Sequence, residues 1–217
     1  MASATLKPPQ LSGKRIAEQR LPNRASCRGA RLAVRASGAD KEVVRLGVPG
    51  TGRGGVVKET FRFTLREPND EYGLKPVYAK EEFECRTVGA KLVALTLPRP
   101  LGIVFEEKLV ADGDSRVPAV VVDELVEGGN ALASGLLQVG DILRATTAVF
   151  KTRGKVDELS YFNNPPPEIA QKVLMVADGQ PFNRVMAAIV SNGDPIDSPG
   201  GPVDVEAVSM VLERPAQ

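Results

Sequence analysis

Val126-Glu127-Gly128-Gly129-Asn130-Ala131-Leu132-Ala133-Ser134-Gly135-Leu136-Leu137-Gln138-Val139-Gly140-Asp141-Ile142-Leu143 is the run whose reading decides the fold. Gly128-Gly129-Asn130 opens a single helical turn, Ala131–Ser134, and Gly135 closes it, because glycine takes the positive φ that tight turns and helix ends demand. Gly140-Asp141 bends the chain into a strand that runs to Thr146. Upstream, apolar β-branched runs predict strands at Lys91–Leu97, Ile103–Lys108 and Ala119–Val126. Between the first two lies a loop, Pro98-Arg99-Pro100-Leu101-Gly102, whose prolines cannot donate to a ladder. Ala111–Ser115 turns between the second and third.

Downstream, Pro181 starts and Asn192-Gly193 stops a helix over 181–191. Phe182, Val185, Met186 and Ile189 recur on one of its faces. A turn-rich loop, 194–202, leads to a closing strand, Val203–Leu212.

The Gly-Gly to Gly-Asp run closely resembles the middle of a PDZ domain, and Pro100-Leu101-Gly102-Ile103 sits where that family carries its Gly-Leu-Gly-Phe carboxylate-binding loop. The resemblance covers residues 90–146 and resumes near 180–214. Thr146-Thr147-Ala148-Val149-Phe150 resembles PDZ-domain proteins found in plastids of plants and algae. The implied fold class is α+β, mainly β: a PDZ-like, partly open barrel or sandwich with one short and one longer helix. Pro100 replaces the first loop glycine and Ile103 the phenylalanine. The resemblance assigns the peptide carboxylate to the amides of Leu101, Gly102 and Ile103, with Arg99 as balancing charge, and the groove to Phe105, Phe182, Met186 and Ile189. Phe182 stands where a histidine would favour Ser or Thr in the ligand, so a hydrophobic-x-hydrophobic carboxyl end is expected instead. Gly102→Val is expected to weaken binding while leaving folding largely intact.

A second departure is an insert at about 147–180 before the second helix. It holds Tyr161, Phe162 and a stiff triple proline, Pro165–Pro167, followed by Glu168–Met175. Residues 59–88 read as one or two irregular strands ending near Thr87, with Cys85 a small residue on their apolar face. Residues 37–57 are glycine-rich and polar and read as a linker that contributes little stability. Their Gly50, Gly52 and Gly55 match a dinucleotide fingerprint in spacing, but a strand-like stretch follows where a helix N-terminus is needed.

The charge is divided. Residues 1–36 hold eight basic side chains and one acid, net +7, and the remaining 181 residues are net −6. An arginine-rich, acid-poor start reads as a transit peptide ending near Ala36, plastid before mitochondrial; the alternative is a basic tail.

Composition narrows the function classes. The 217 residues include no histidine, which removes Ser-His-Asp and Cys-His pairs and imidazole metal ligands. Two cysteines, Cys27 and Cys85, cannot build a zinc finger. Clustered acids at Asp112, Asp114, Asp123 and Glu124 lack metal-loop spacing. Ten aromatics and no tryptophan leave little for a nucleic-acid stacking platform. No apolar run approaches the ~18 residues of a membrane span. The expectation is a non-enzyme without catalytic residues, metal or other cofactor, in the chloroplast stroma or on the stromal face of the thylakoid. Its partner would be a protein with a hydrophobic C-terminus or extended segment, bound by β-augmentation, in a scaffold or adaptor role. The alternative is a subunit or assembly factor of a thylakoid complex, with a closed groove and contacts through the insert.

Overall fold

Phe61, Phe63 and Leu65 alternate along one strand and are all buried, so one face of that strand must lie against another layer. The computed structural model describes residues 42–69, 73–153, 168–196 and 207–216. Over these the chain is mainly β, of α+β class, with one short and one longer helix, as expected.

A three-stranded antiparallel sheet holds β1 (Val43–Thr51), β2 (Val57–Asn69) and β3 (Gly73–Glu84) in the order β1-β2-β3. A larger sheet holds β4 (Lys91–Pro98), β5 (Ile103–Asp112), β6 (Ser115–Leu125), β7 (Ile142–Arg153), β8 (Glu168–Val176) and β9 (Ala207–Arg214). Its order is β4-β9-β7-β6-β5, with β8 paired to the far half of β7. Phe61, Phe63 and Phe83 from the small sheet pack on Leu92, Ala145 and Val211 of the large one. The other face of the large sheet is covered by α1 (Asn130–Ser134) and α2 (Phe182–Ser191), through Ala131, Val185 and Ile189 on Leu95, Val120, Val122 and Leu143. Each enclosed Phe, Leu or Val contributes about 1.5–3 kcal/mol relative to exposure.

Several expectations need correction. Residues 43–51, expected in a linker, form β1, paired with β2 from Val43↔Phe63 to Thr51↔Val57. Its Val43, and Val56 after it, are buried, and that apolar burial outweighs a glycine- and proline-rich composition. The expected irregular strands are two long regular ones in unbroken register from Lys58↔Glu84 to Asn69↔Gly73. Pro76 fits because β3 is an edge strand. The insert is in part more sheet: β7 runs on to Arg153 and pairs with β8 from Ala145↔Val176 to Arg153↔Glu168. Cys85 is buried just after the end of β3. The stretch after Gly55 is strand β2, so the backbone needed for a dinucleotide site does not form there. The proposed transit segment, Tyr161, Phe162, the triple proline and Val203–Glu206 lie outside the described residues.

Candidate functional site

The loop between β4 and β5 is shaped by two glycines. Gly102 has φ +68°, and a Cβ built on it would stand 2.5 Å from the Cα of Gly129. A Cβ on Gly129 would in turn meet the Leu101 carbonyl oxygen at 2.9 Å. Backbone touches backbone here, so both positions require glycine. Gly102 therefore has a structural role, and the expectation that Gly102→Val leaves folding intact is overturned.

Three successive carbonyls of the loop turn towards α1 and the end of β6. The Pro100 oxygen accepts from the Asn130 N–H at 3.2 Å, Leu101 from Ala131 at 2.9 Å, and Gly102 from Val126 at 2.9 Å. In a trans peptide the carbonyl and the next residue's N–H point in opposite directions. The N–H groups of Leu101, Gly102 and Ile103 therefore point away from α1 and β6. Among the described residues, the Leu101 and Gly102 amides have no acceptor. Consecutive outward N–H groups make an anion-attracting concavity.

The Asn130 side chain, which the sequence reading passed over, holds the loop in place. Its Nδ2 donates to the Pro98 carbonyl at 3.1 Å and to the Pro100 carbonyl at 3.0 Å. An asparagine opening the first turn after Gly-Gly was the available signal.

Arg99 is exposed, and its guanidinium fills the space a Cβ on Gly193 would take, just past the end of α2. The C-terminal end of a helix favours a cation. That end is bolted to β7: Asn192 Nδ2 donates to the Thr147 carbonyl at 2.6 Å, and the Val149 N–H donates to Ser191 Oγ at 2.9 Å.

The structure brings the apolar candidates together. Leu101, Ile103 and Phe105 from the loop and β5, and Phe182 and Met186 from α2, are half-buried against one core. Ile189 belongs to that core, at 9% exposure. β5 ends the sheet, and among the described residues nothing pairs with its outer edge.

A separate cavity of about 730 Å³ is lined in part by Cys85, Arg86, Asp112, Arg144 and Asp178, and none of the groove residues borders it. Arg144 Nε donates to both Asp178 oxygens, at 3.0 and 2.9 Å, and its Nη1 to Glu213. Burial opposes the Arg144 charge, but Asp178 and Glu213 outweigh it and raise the pKa. Burial, helped by the nearby Glu213 charge, pushes the Cys85 thiol up to about 11. A thiol held in that range is a poor nucleophile at neutral pH. Arg144, Asp178 and Glu213 thus form a largely buried ion-pair network joining β7, β9 and the turn before α2.

The chain matches no protein-family model, no curated protein and no solved structure. Among the described residues, no helix is long and apolar enough to cross a membrane.

Proposed function

We propose that the chain is a non-enzymatic, PDZ-like adaptor of the plastid, which binds the carboxyl end or an extended segment of a partner protein. The carrying observation is the set of outward N–H groups at Leu101, Gly102 and Ile103, placed at the start of a strand with an open edge. The ligand's carboxylate sits on those amides with Arg99 nearby, and its backbone adds a strand to β5. Its terminal side chain enters the apolar surface of Leu101, Ile103, Phe105, Met186 and Ile189, and the side chain two residues back meets Phe182. Plastid import rests on the +7 charge of residues 1–36.

Selection from a library of peptides with free carboxyl ends tests this reading. Enrichment of hydrophobic-x-hydrophobic ends, with binding lost on amidation, is the expected result. Peptides binding equally well when amidated overturn carboxylate recognition.

The second reading is an assembly factor or subunit that contacts a thylakoid complex through the insert. It draws on the β7–β8 arm, whose Phe150 is exposed. A subunit of this kind co-purifies with its complex after Arg99→Glu, a change at an exposed loop side chain, whereas an adaptor working through the groove loses its partner.

A further inference from the structure

We infer that β5 selects a basic residue four positions before the ligand's carboxyl end; this rests on the groove reading above. Paired residues of an antiparallel ladder share a face. Phe105 pairs with Val122 and Glu107 with Val120, and both valines lie in the core beneath α2. Glu107 is therefore on the same face as Phe105, the face that borders the groove. On the opposite face, Glu106 and Lys108 pair with Val121 and Ala119, members of a different cluster.

Along the groove face β5 reads Ile103, Phe105, Glu107, Leu109: two half-buried apolar side chains, an exposed acid, then an exposed apolar one. Glu107 has no ion-pair or hydrogen-bond partner among the described residues. Lys108, the neighbouring cation, already pairs with Glu106 at 2.8 Å and Asp123 at 2.7 Å. Arg116 shares the groove face but stands opposite Ala111, four residues beyond Glu107 and so about 13 Å away at ~3.3 Å per residue.

The two ends of the edge carry opposite signs: Arg99 and the outward amides at one, Glu107 along the strand from them. An extended ligand running antiparallel to β5, its last residue opposite Ile103, brings the residue four positions before its end opposite Glu107. Strand periodicity turns that side chain to the same face as the last one. A lysine or arginine there faces an unpaired carboxylate, and an apolar residue two further back faces Leu109, which is 65% exposed. The occupant is therefore a carboxyl-terminal segment of about seven residues with an interior basic residue.

The test uses the free-carboxylate peptide Leu-Ala-Lys-Ala-Val-Ala-Val and its counterpart with Glu in place of Lys, titrated into the full chain. The lysine peptide is expected to bind about two- to fivefold more tightly, the range of an exposed ion pair, with the difference shrinking at high salt. Glu107→Gln should abolish the difference and Glu107→Lys should reverse it. Equal binding of both peptides, or an order unchanged in Glu107→Lys, overturns this inference and leaves the groove reading intact. Failure of both peptides to bind in a carboxylate-dependent way overturns the groove reading and this inference with it.

Discussion

The ammonium of Lys172 has no exposed surface and meets a Glu42 carboxylate oxygen at 2.7 Å. The two residues are 130 positions apart. Lys172 also donates to the Ala207 carbonyl at 2.6 Å, and Ser209 Oγ donates to the same Glu42 oxygen at 3.1 Å. The Ser209 N–H donates to Thr147 Oγ, which donates to Asn192 Oδ1 at the end of α2. The segment expected to be a linker thus contains a residue, Glu42, that is tied through Ser209 and Thr147 to the end of α2.

Removing one partner of a buried pair leaves an uncompensated charge, at a cost of about 3–5 kcal/mol. Glu42→Gln, or a chain starting at residue 58, should lower the unfolding temperature by about 6–20 °C, at ~2–4 °C per kcal/mol for a domain of this size. The double variant Glu42→Gln/Lys172→Met should recover most of the loss, because no charge is then left buried. Thermal unfolding of the three variants checks this; an unaltered midpoint in the truncated chain contradicts it.

Gly102→Ala should destabilise by about 2–4 kcal/mol, from both the left-handed backbone and the clash with Gly129. Gly128→Ala is the control. Its φ is +81°, but a Cβ there meets nothing within 4 Å, so it should cost only about 1–2 kcal/mol. Denaturant midpoints of the two variants separate strain from close approach.

Asn130→Ala should cost about 1–2 kcal/mol of stability and, on the proposed function, weaken peptide binding more than folding, since the lost donors hold the loop between β4 and β5. Asn130→Asp should bind more weakly still, because it puts a negative charge beside that loop. Calorimetric titration and thermal unfolding of the same samples supply both halves of the comparison.

Cys85 sets a pH dependence. Its folded pKa of about 11 stands above the ordinary value of 9.0, so the folded state holds the proton more tightly than the unfolded one. The stabilisation is complete below pH 9 and is lost as the pH rises through 11. Over that window the native chain should lose roughly 2–3 kcal/mol more than Cys85→Ala, at ~1.4 kcal/mol per pH unit. Parallel slopes for the two proteins in alkaline unfolding curves contradict it.

The legible parts of the fold carry short-range signals. Gly128, Gly129 and Gly135 announced α1, Pro181 and Asn192-Gly193 bounded α2, and β-branched runs marked β4, β5 and β6. β1 was hidden because Gly47, Pro49 and Gly50 look like a linker, and only the β2 ladder and the burial of Val43 make it a strand. The Glu42–Lys172 and Arg144–Glu213 pairs leave no local trace, since their partners lie 130 and 69 residues apart. At the site, Leu101, Ile103, Phe105, Phe182, Met186 and Ile189 could be named from spacing and resemblance. The contact of Gly102 with Gly129 could not, because it depends on how two loops meet, and the clamp by Asn130 left only its place at the start of α1 as a signal.

The central claim is that the amides of Leu101, Gly102 and Ile103 receive a ligand carboxylate. Backbone NMR of the full chain, titrated with Leu-Ala-Lys-Ala-Val-Ala-Val as free acid and as amide, tests it most directly. The free acid should give its largest amide shifts at Leu101, Gly102 and Ile103, continuing along the β5 edge, and the amidated peptide should leave those three nearly unmoved. Shifts confined to the cavity around Arg86, Asp112 and Asp178, or the same response to both peptides, would contradict it.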